Sequence, residues 1–350
     1  MCKPMTASER FENFLAGKPV DRAPIIEWAP WWHLTVARWI DEGVPAEKAG
    51  YEALQEYFGL DKCIQSAVAA YPHDILDTVE YGGSIIENED DYHNKLKPLL
   101  FTPPEKLFSE EFFANLRANR ERGDTLQFFS VEGFFWYPRM MLGIENHLYS
   151  FYDYPDLYKL MCEDYANWLI EVFEYLFSRF RFDFMTFAED MSYNNGPMVS
   201  KDIFDEFLAP YYNKVIPVIH KYKVPVIIDS DGDITLAVDW YAGVGADGML
   251  PLERQAGTDV SVYINKQPQM AFIGHFDKMC LKYGEEAIRA EFERVLPSMQ
   301  NGKLISSVDH QTPPDVSVEN YRTYIRLFKE YAAKVTHTNK DIKPCKVFEE

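Results

Sequence analysis

Acidic residues and histidines recur along this chain at the ends of short apolar runs. The densest case is Val224 to Glu253, VPVIIDSDGDITLAVDWYAGVGADGMLPLE. Val224 to Ile228 reads as a buried strand that stops at Asp229, Asp231 and Asp233. Ile234 to Ala242 has helix length, and a second strand, Asp247 to Leu252, closes on Glu253. The placement repeats elsewhere. Glu27 lies near the end of Pro24–Trp28, Glu132 follows Leu126–Val131, and Glu189 and Asp190 follow Phe182–Ala188. His275 and Asp277 follow Met270–Gly274, and Asp309 and His310 follow Lys303–Val308. Carboxylates gathered at one mouth repel one another, so they must share protons, pair with cations or bind a metal. Three chemistries are open. A metal could be held by a subset, most simply Asp229, Asp231, Asp309 and His310. One of these, or Glu189, could work as a general acid or base with a raised pKa. Or the acids could hold a cationic or polyhydroxylated substrate. Strand-end aspartates also cap helices, and Asp229-Ser230-Asp231-Gly232 supplies good caps.

Aromatic residues share these segments: Trp28, Trp31, Trp32, Phe134 to Tyr137, and Tyr193. The run Phe134 to Tyr137 has no strand or helix period that buries every member, so some should line a pocket for a flat ligand. Arg139 lies close enough to receive a carboxylate. The expected substrate contacts are Glu27, Trp28, Trp136, Arg139, Asp190, Tyr193, Asn194, Glu253 and Asp277. No GxSxG, Walker loop or HExxH is present.

The elements that must position these residues alternate. The eight strands are 24–28, 62–67, 126–131, 182–188, 224–228, 247–252, 270–274 and 303–308, with helical segments between them. That order predicts a TIM (β/α)8 barrel, whose chemistry sits at the strand C-termini. A doubly wound sheet would want a Gly-rich fingerprint after the first strand, and none is there. The barrel carries a helical N-terminal extension, which Thr6 and Glu9 open as a capping box. Turn signals at Gly82-Gly83 and Glu89-Asp90-Asp91 predict an inserted β-hairpin over Val79 to Lys95. One domain should span 1–335, and 336–350 reads as a frayed polar tail.

Composition narrows the partners. The chain has 35 Lys plus Arg against 55 Asp plus Glu, a formal net charge of -20. That argues against nucleic acid and anionic membrane. No window has the length and apolarity of a membrane span. The five cysteines, Cys2, Cys63, Cys162, Cys280 and Cys345, form no CxxC pair, which suits a reducing cytoplasm.

Five ordered blocks carry a resemblance. ERFENFLAGKPVDRAP, EDMSYNNGPMVSKDIFDEFLAPYY, DSDGDI…GADGMLPLE, GHFDK and SSVDHQTPPDVSVENY together resemble the uroporphyrinogen-decarboxylase-like family, from about Ser8 to Lys334. The resemblance implies a TIM barrel, a homodimer, and one of two activities. One is cofactor-free decarboxylation of a porphyrinogen. The other is zinc-dependent methyl transfer involving corrinoid or thiol partners. Decarboxylases carry an Arg-rich block after the first strand, where this chain reads EWAPWWHLTVARW. Thiol-activating methyltransferases carry His-x-Cys and a later Cys, where this chain has Asp229-x-Asp231 and Asp309. The leading expectation is transfer of a methyl group from a small methylated or methoxylated substrate to a corrinoid protein. The alternatives are a decarboxylase of another carboxylated substrate and a non-catalytic small-molecule-binding barrel.

Overall fold

The structure is a computed structural model that describes residues 5–80, 82–257, 259–336 and 342–349. Seven parallel strands form one curled sheet. In sheet order they are β1 (Lys62–Ala67), β2 (Thr125–Glu132), β3 (Phe184–Ala188), β6 (Val226–Ser230), β7 (Gly248–Pro251), β8 (Ala271–Phe276) and β9 (Leu304–Val308). Between β3 and β6 the chain makes a small antiparallel hairpin, β4 (Ser192–Tyr193) with β5 (Gly196–Pro197). Helices connect the parallel strands, as such crossovers require. The result is a TIM-like α/β protein.

The first expected strand, 24–28, lies beside the sheet without joining its ladder. Pro24 has no N–H to give. Ile25 donates its N–H to the Asp61 side chain at 2.9 Å, and its carbonyl accepts from Asp61 N at 2.8 Å. On the other side Val308 N donates to Glu27 Oε2 at 3.3 Å. Two carboxylates thus take the place of ladder carbonyls between β1 and β9.

The strands alternate as the pleat demands. Phe128 stacks on Phe184 with ring centroids 4.7 Å apart, and Phe11 of the N-terminal helix Ala7–Leu15 stacks on Phe184 at 5.1 Å. Two residues further along, Ser130 Oγ meets Thr186 Oγ1 at 2.6 Å and accepts from Gln65 Nε2 at 2.7 Å. Two residues further again, at the strand ends, the same row holds Glu132, Ala188 and Asp229. An apolar floor, a polar layer and a carboxyl-bearing row therefore succeed one another towards the mouth.

Two expectations need correction, and a third, that some of Phe134 to Tyr137 line a pocket, holds for Trp136 alone. Val79–Lys95 contains no hairpin among its described residues. Glu89–Asp91 and Tyr92–Leu96 are helical turns, opened by the Asn88 side chain accepting from Asp91 N, and the hairpin is instead at Ser192–Pro197. The polar tail docks over 342–349: Cys345 N donates to Leu15 O at 2.9 Å, and Val347 N donates to Asp247 Oδ1 at 3.0 Å. Residues 337–341, like Cys2, lie outside the described residues. Phe134, Phe135 and Tyr137 are fully buried, because the unforeseen helices Trp136–Leu142 and Ile144–Asp153 fold back over them; Trp136 alone of that run stays open. Among the described residues no helix is long and apolar enough to cross a membrane.

Candidate active site

The carboxyl-rich mouth forms around the loop after β6. Gly232 has φ +78, and a Cβ there would meet the Tyr193 backbone at 2.7 Å, so only glycine lets this loop pass the hairpin. Its N–H donates to Glu253 Oε2 at 3.2 Å, while Asp231 N donates to Asp190 Oδ1 at 3.3 Å. Asp190 itself is held at φ +40, an uncommon backbone for a non-glycine residue. These two bonds draw Asp190, Asp231 and Glu253 into one arc. His310 completes it, its Nε2 3.8 Å from Asp231 Oδ2, with Trp28 edge-on to the imidazole at 6.3 Å between centroids.

Burial and mutual repulsion set the proton affinities of this arc. Asp231 is pushed up to about 7 by burial, then by Asp190 and Glu253, with Lys278 pulling the other way. Asp229 is raised well above the carboxylate range by burial and by Asp190 and Asp231. Asp190 is raised mainly by burial, offset by its bond from Asp231 and by the Arg139 charge. His310 is lowered, chiefly by burial and by Lys278. Near neutral pH the mouth thus holds protonated carboxyl beside imidazole, an arrangement that can deliver or accept a proton.

Lys278 is the residue that the sequence reading missed. Its Nζ lies 3.2 Å from Asp309 Oδ1 and 3.6 Å from Glu253 Oε1. Asp309 is fully buried and also accepts from Arg254 N at 2.7 Å and Lys278 N at 3.2 Å. The signal was a cation two residues beyond a strand end, next to Asp277, amid an excess of acids. We expect Lys278→Met to leave Asp309 buried without its ion partner and to lower stability by about 3 kcal/mol. Denaturant unfolding would measure that loss, and an unchanged midpoint would refute the pairing.

The four expected metal ligands do not converge. Among the described residues no group of three or more His, Cys, Asp or Glu side chains is arranged to hold a metal ion. The physical reason is Asp309, whose oxygens are taken by two backbone N–H groups and an ammonium. A metal at that position would face the Lys278 charge.

Other expected site residues are placed differently. Glu27 is fully buried, bonded to Ser307 Oγ at 2.7 Å and Tyr324 OH at 2.8 Å, and closes the sheet instead of contacting substrate. Glu189, expected as acid or base, is also fully buried. It accepts from Phe135 N at 2.8 Å, Trp136 N at 3.1 Å and the hydroxyl of Tyr212, and so anchors the loop after β2. Asp277 caps the turn that follows β8, accepting from Met279 N at 2.9 Å and from Gln255 Nε2 at 2.8 Å. Buried His275 has both ring nitrogens engaged, with Leu252 O and with Val260 N, each at 3.1 Å. Tyr193 and Asn194 are exposed on the hairpin.

Trp136 and Arg139 line a cavity of ≈ 470 Å³ with Leu76, Val79, Met140 and Ile144. The Arg139 guanidinium lies over the Trp136 ring, 4.7 Å from its centroid. Its side chain makes no hydrogen bond or ion pair among the described residues, and its charge is felt by Asp190. Arg139 thus lines the cavity while its charge reaches the acidic arc.

A curled parallel sheet with acid–base groups at its strand C-termini defines a TIM-like enzyme scaffold. Comparison with known proteins makes the assignment particular. The profile of the Uroporphyrinogen decarboxylase (URO-D) family matches residues 131–331, more than half of the chain. The chain belongs to this family of enzymes. A uroporphyrinogen decarboxylase from Campylobacter jejuni is 38% identical over 55 residues, which is 16% of this chain and 16% of that protein. A methyltransferase from Methanosarcina mazei matches in structure over 93% of this chain and 99% of its own, with TM-score 0.67 and 14% identity. At that identity the likeness is one of fold.

Proposed function

We propose that this chain transfers a methyl group from a small methoxylated or methylated compound, with a corrinoid protein as acceptor. The observation that carries the reading is Asp231, 3.8 Å from His310 Nε2 in a mouth with few cations, whose carboxyl is raised to about 7 and so keeps a share of its protons at neutral pH. Breaking an O–CH3 bond leaves an anionic oxygen while the methyl group passes to the acceptor's nucleophile. The Asp231 proton goes to that oxygen, and the carboxylate regains a proton from solvent through His310. Trp28 and Trp136 offer flat walls for the substrate. Lys278 supplies the positive charge that a divalent ion would otherwise bring to this end of the mouth.

The acidic surroundings also weigh against the polyanionic substrate of the family's namesake, since each uncompensated like charge costs binding energy. Decarboxylation of a smaller acid is the second reading, favoured by Arg139, which is available to hold one carboxylate. The deciding experiment incubates the protein with a methoxylated or carboxylated panel and a reduced corrinoid acceptor, with products followed by mass spectrometry. Demethylated product formed only with the acceptor supports methyl transfer. Carbon dioxide formed without it establishes the decarboxylase instead. Elemental analysis of protein purified without chelators or metal-affinity resin should find well under one divalent ion per chain. A value near one would overturn the role given to Lys278.

A further inference from the structure

Glu132 sits at the last position of β2, in the register row that runs through Ala188 to Asp229. Two strand spacings separate it from Asp229, about 10 Å between Cα atoms. Ala188 between them carries only a methyl group. The pleat aims Glu132 the same way as Ser130 and Phe128, into the curl of the sheet. Its Oε1 is held by the hydroxyl of Tyr71, from the loop after β1. Its Oε2 is buried and has no hydrogen-bond partner among the described residues. A buried carboxyl oxygen with no partner is unfavourable and calls for one that binding brings.

We propose that Glu132, oriented by Tyr71, contacts the substrate and donates a hydrogen bond from Oε2 to a neutral oxygen of the methylated compound. The Tyr71 hydroxyl fixes which oxygen is free. Burial raises the Glu132 carboxyl to about 7, with the Tyr71 bond opposing. Below that pH the proton resides on Oε2, because Oε1 already accepts from Tyr71. Among the described residues Tyr71 bonds Glu132, and Tyr137 of helix Trp136–Leu142 and Tyr165 of helix Pro155–Phe177 feel its charge; none of the three is charged near neutrality. The environment therefore favours a neutral acid over a carboxylate. A neutral acid suits an ether or hydroxyl oxygen and not a second carboxylate. Asp231 and Glu132 then divide the work: one protonates the leaving oxygen, and the other positions the compound that carries it.

This inference takes its substrate class from the methyl-transfer reading, so its test uses binding alone. Calorimetry would measure 2-methoxyphenol and 1,2-dimethoxybenzene on the full chain from pH 6 to pH 8.5. Binding to the unaltered protein should weaken at least about fivefold as pH rises through about 7. Glu132→Gln keeps a neutral donor at every pH, so it should bind as well as the unaltered protein at pH 6 and lose much of the pH dependence. Glu132→Leu should bind at least about tenfold more weakly at pH 6, the worth of one hydrogen bond to a buried partner, with an unchanged unfolding temperature. Tyr71→Phe should fall between them. Equal pH profiles for the unaltered and Gln proteins, or no binding of either ether, overturn the proposal. If the Leu variant unfolds, the Gln profile still decides. The expected pattern with no methyl transfer would leave Glu132 in its role and remove the reaction.

Discussion

Replacing Asp231 with Asn is expected to lower kcat by about 10²–10⁴-fold, the usual worth of a positioned general acid. The side chain keeps its size and its neutral charge at low pH, so substrate binding should change little. What it loses is a transferable proton. The pH dependence gives the stricter test. An acid must be protonated to act, and Asp231 is raised to about 7. The rate of the unaltered enzyme should therefore be flat below that value and fall as pH rises through it. The residual rate of the Asp231→Asn variant should lack this limb. The Lys278 charge pulls Asp231 down, so Lys278→Met should move the limb to higher pH. If the Asn variant kept both its rate and the limb, another group would be the acid. The candidates would then be Asp229, in the strand beside it, and His310.

Several of these residues could be found in the sequence because strand ends are easy to read. Short apolar runs that stop at acids placed Asp190, Asp231, Glu253, Asp309 and His310 at one edge, and the structure brings them together there. The same rule could not tell which way a strand-end side chain points. Glu189 and Asp190 are neighbours in sequence, yet Glu189 turns into the packing around Tyr212 while Asp190 turns to the mouth. Glu27 is drawn away by Tyr324, which lies almost three hundred residues later. No local signal carries such a contact. Fold class was legible from the alternation of strands and helices, since seven of the eight expected strands form the sheet. The eighth was lost to side-chain bonding by Asp61 and Glu27, which a period count does not see. The helices after β2 were missed because a run of four aromatics hides its helical period.

Gly133→Ala is expected to damage the wall of the site with a single methyl group, lowering stability on the order of 3 kcal/mol. Gly133 follows β2 and donates its N–H to Ala188 O at 2.7 Å, so its backbone cannot move away from β3. A Cβ at this position would fall within the Glu189 carboxyl group. Glu189 is fixed in turn by Phe135 N, Trp136 N and the hydroxyls of Tyr212 and Tyr241. It is also fully buried, so no solvent space is open for it to swing into. The methyl group must either break these bonds or push the loop outward. Either way the first turn of helix Trp136–Leu142 shifts, and with it Trp136 and Arg139 at the cavity wall. Stability and substrate binding should therefore fall together in Gly133→Ala. The double change Gly133→Ala with Glu189→Ala would make room for the methyl group but would leave the Phe135 and Trp136 N–H groups without their acceptor. It should recover packing without recovering the loop. Full recovery of binding in that double variant would show that Glu189 merely occupies space and does not hold the wall in place.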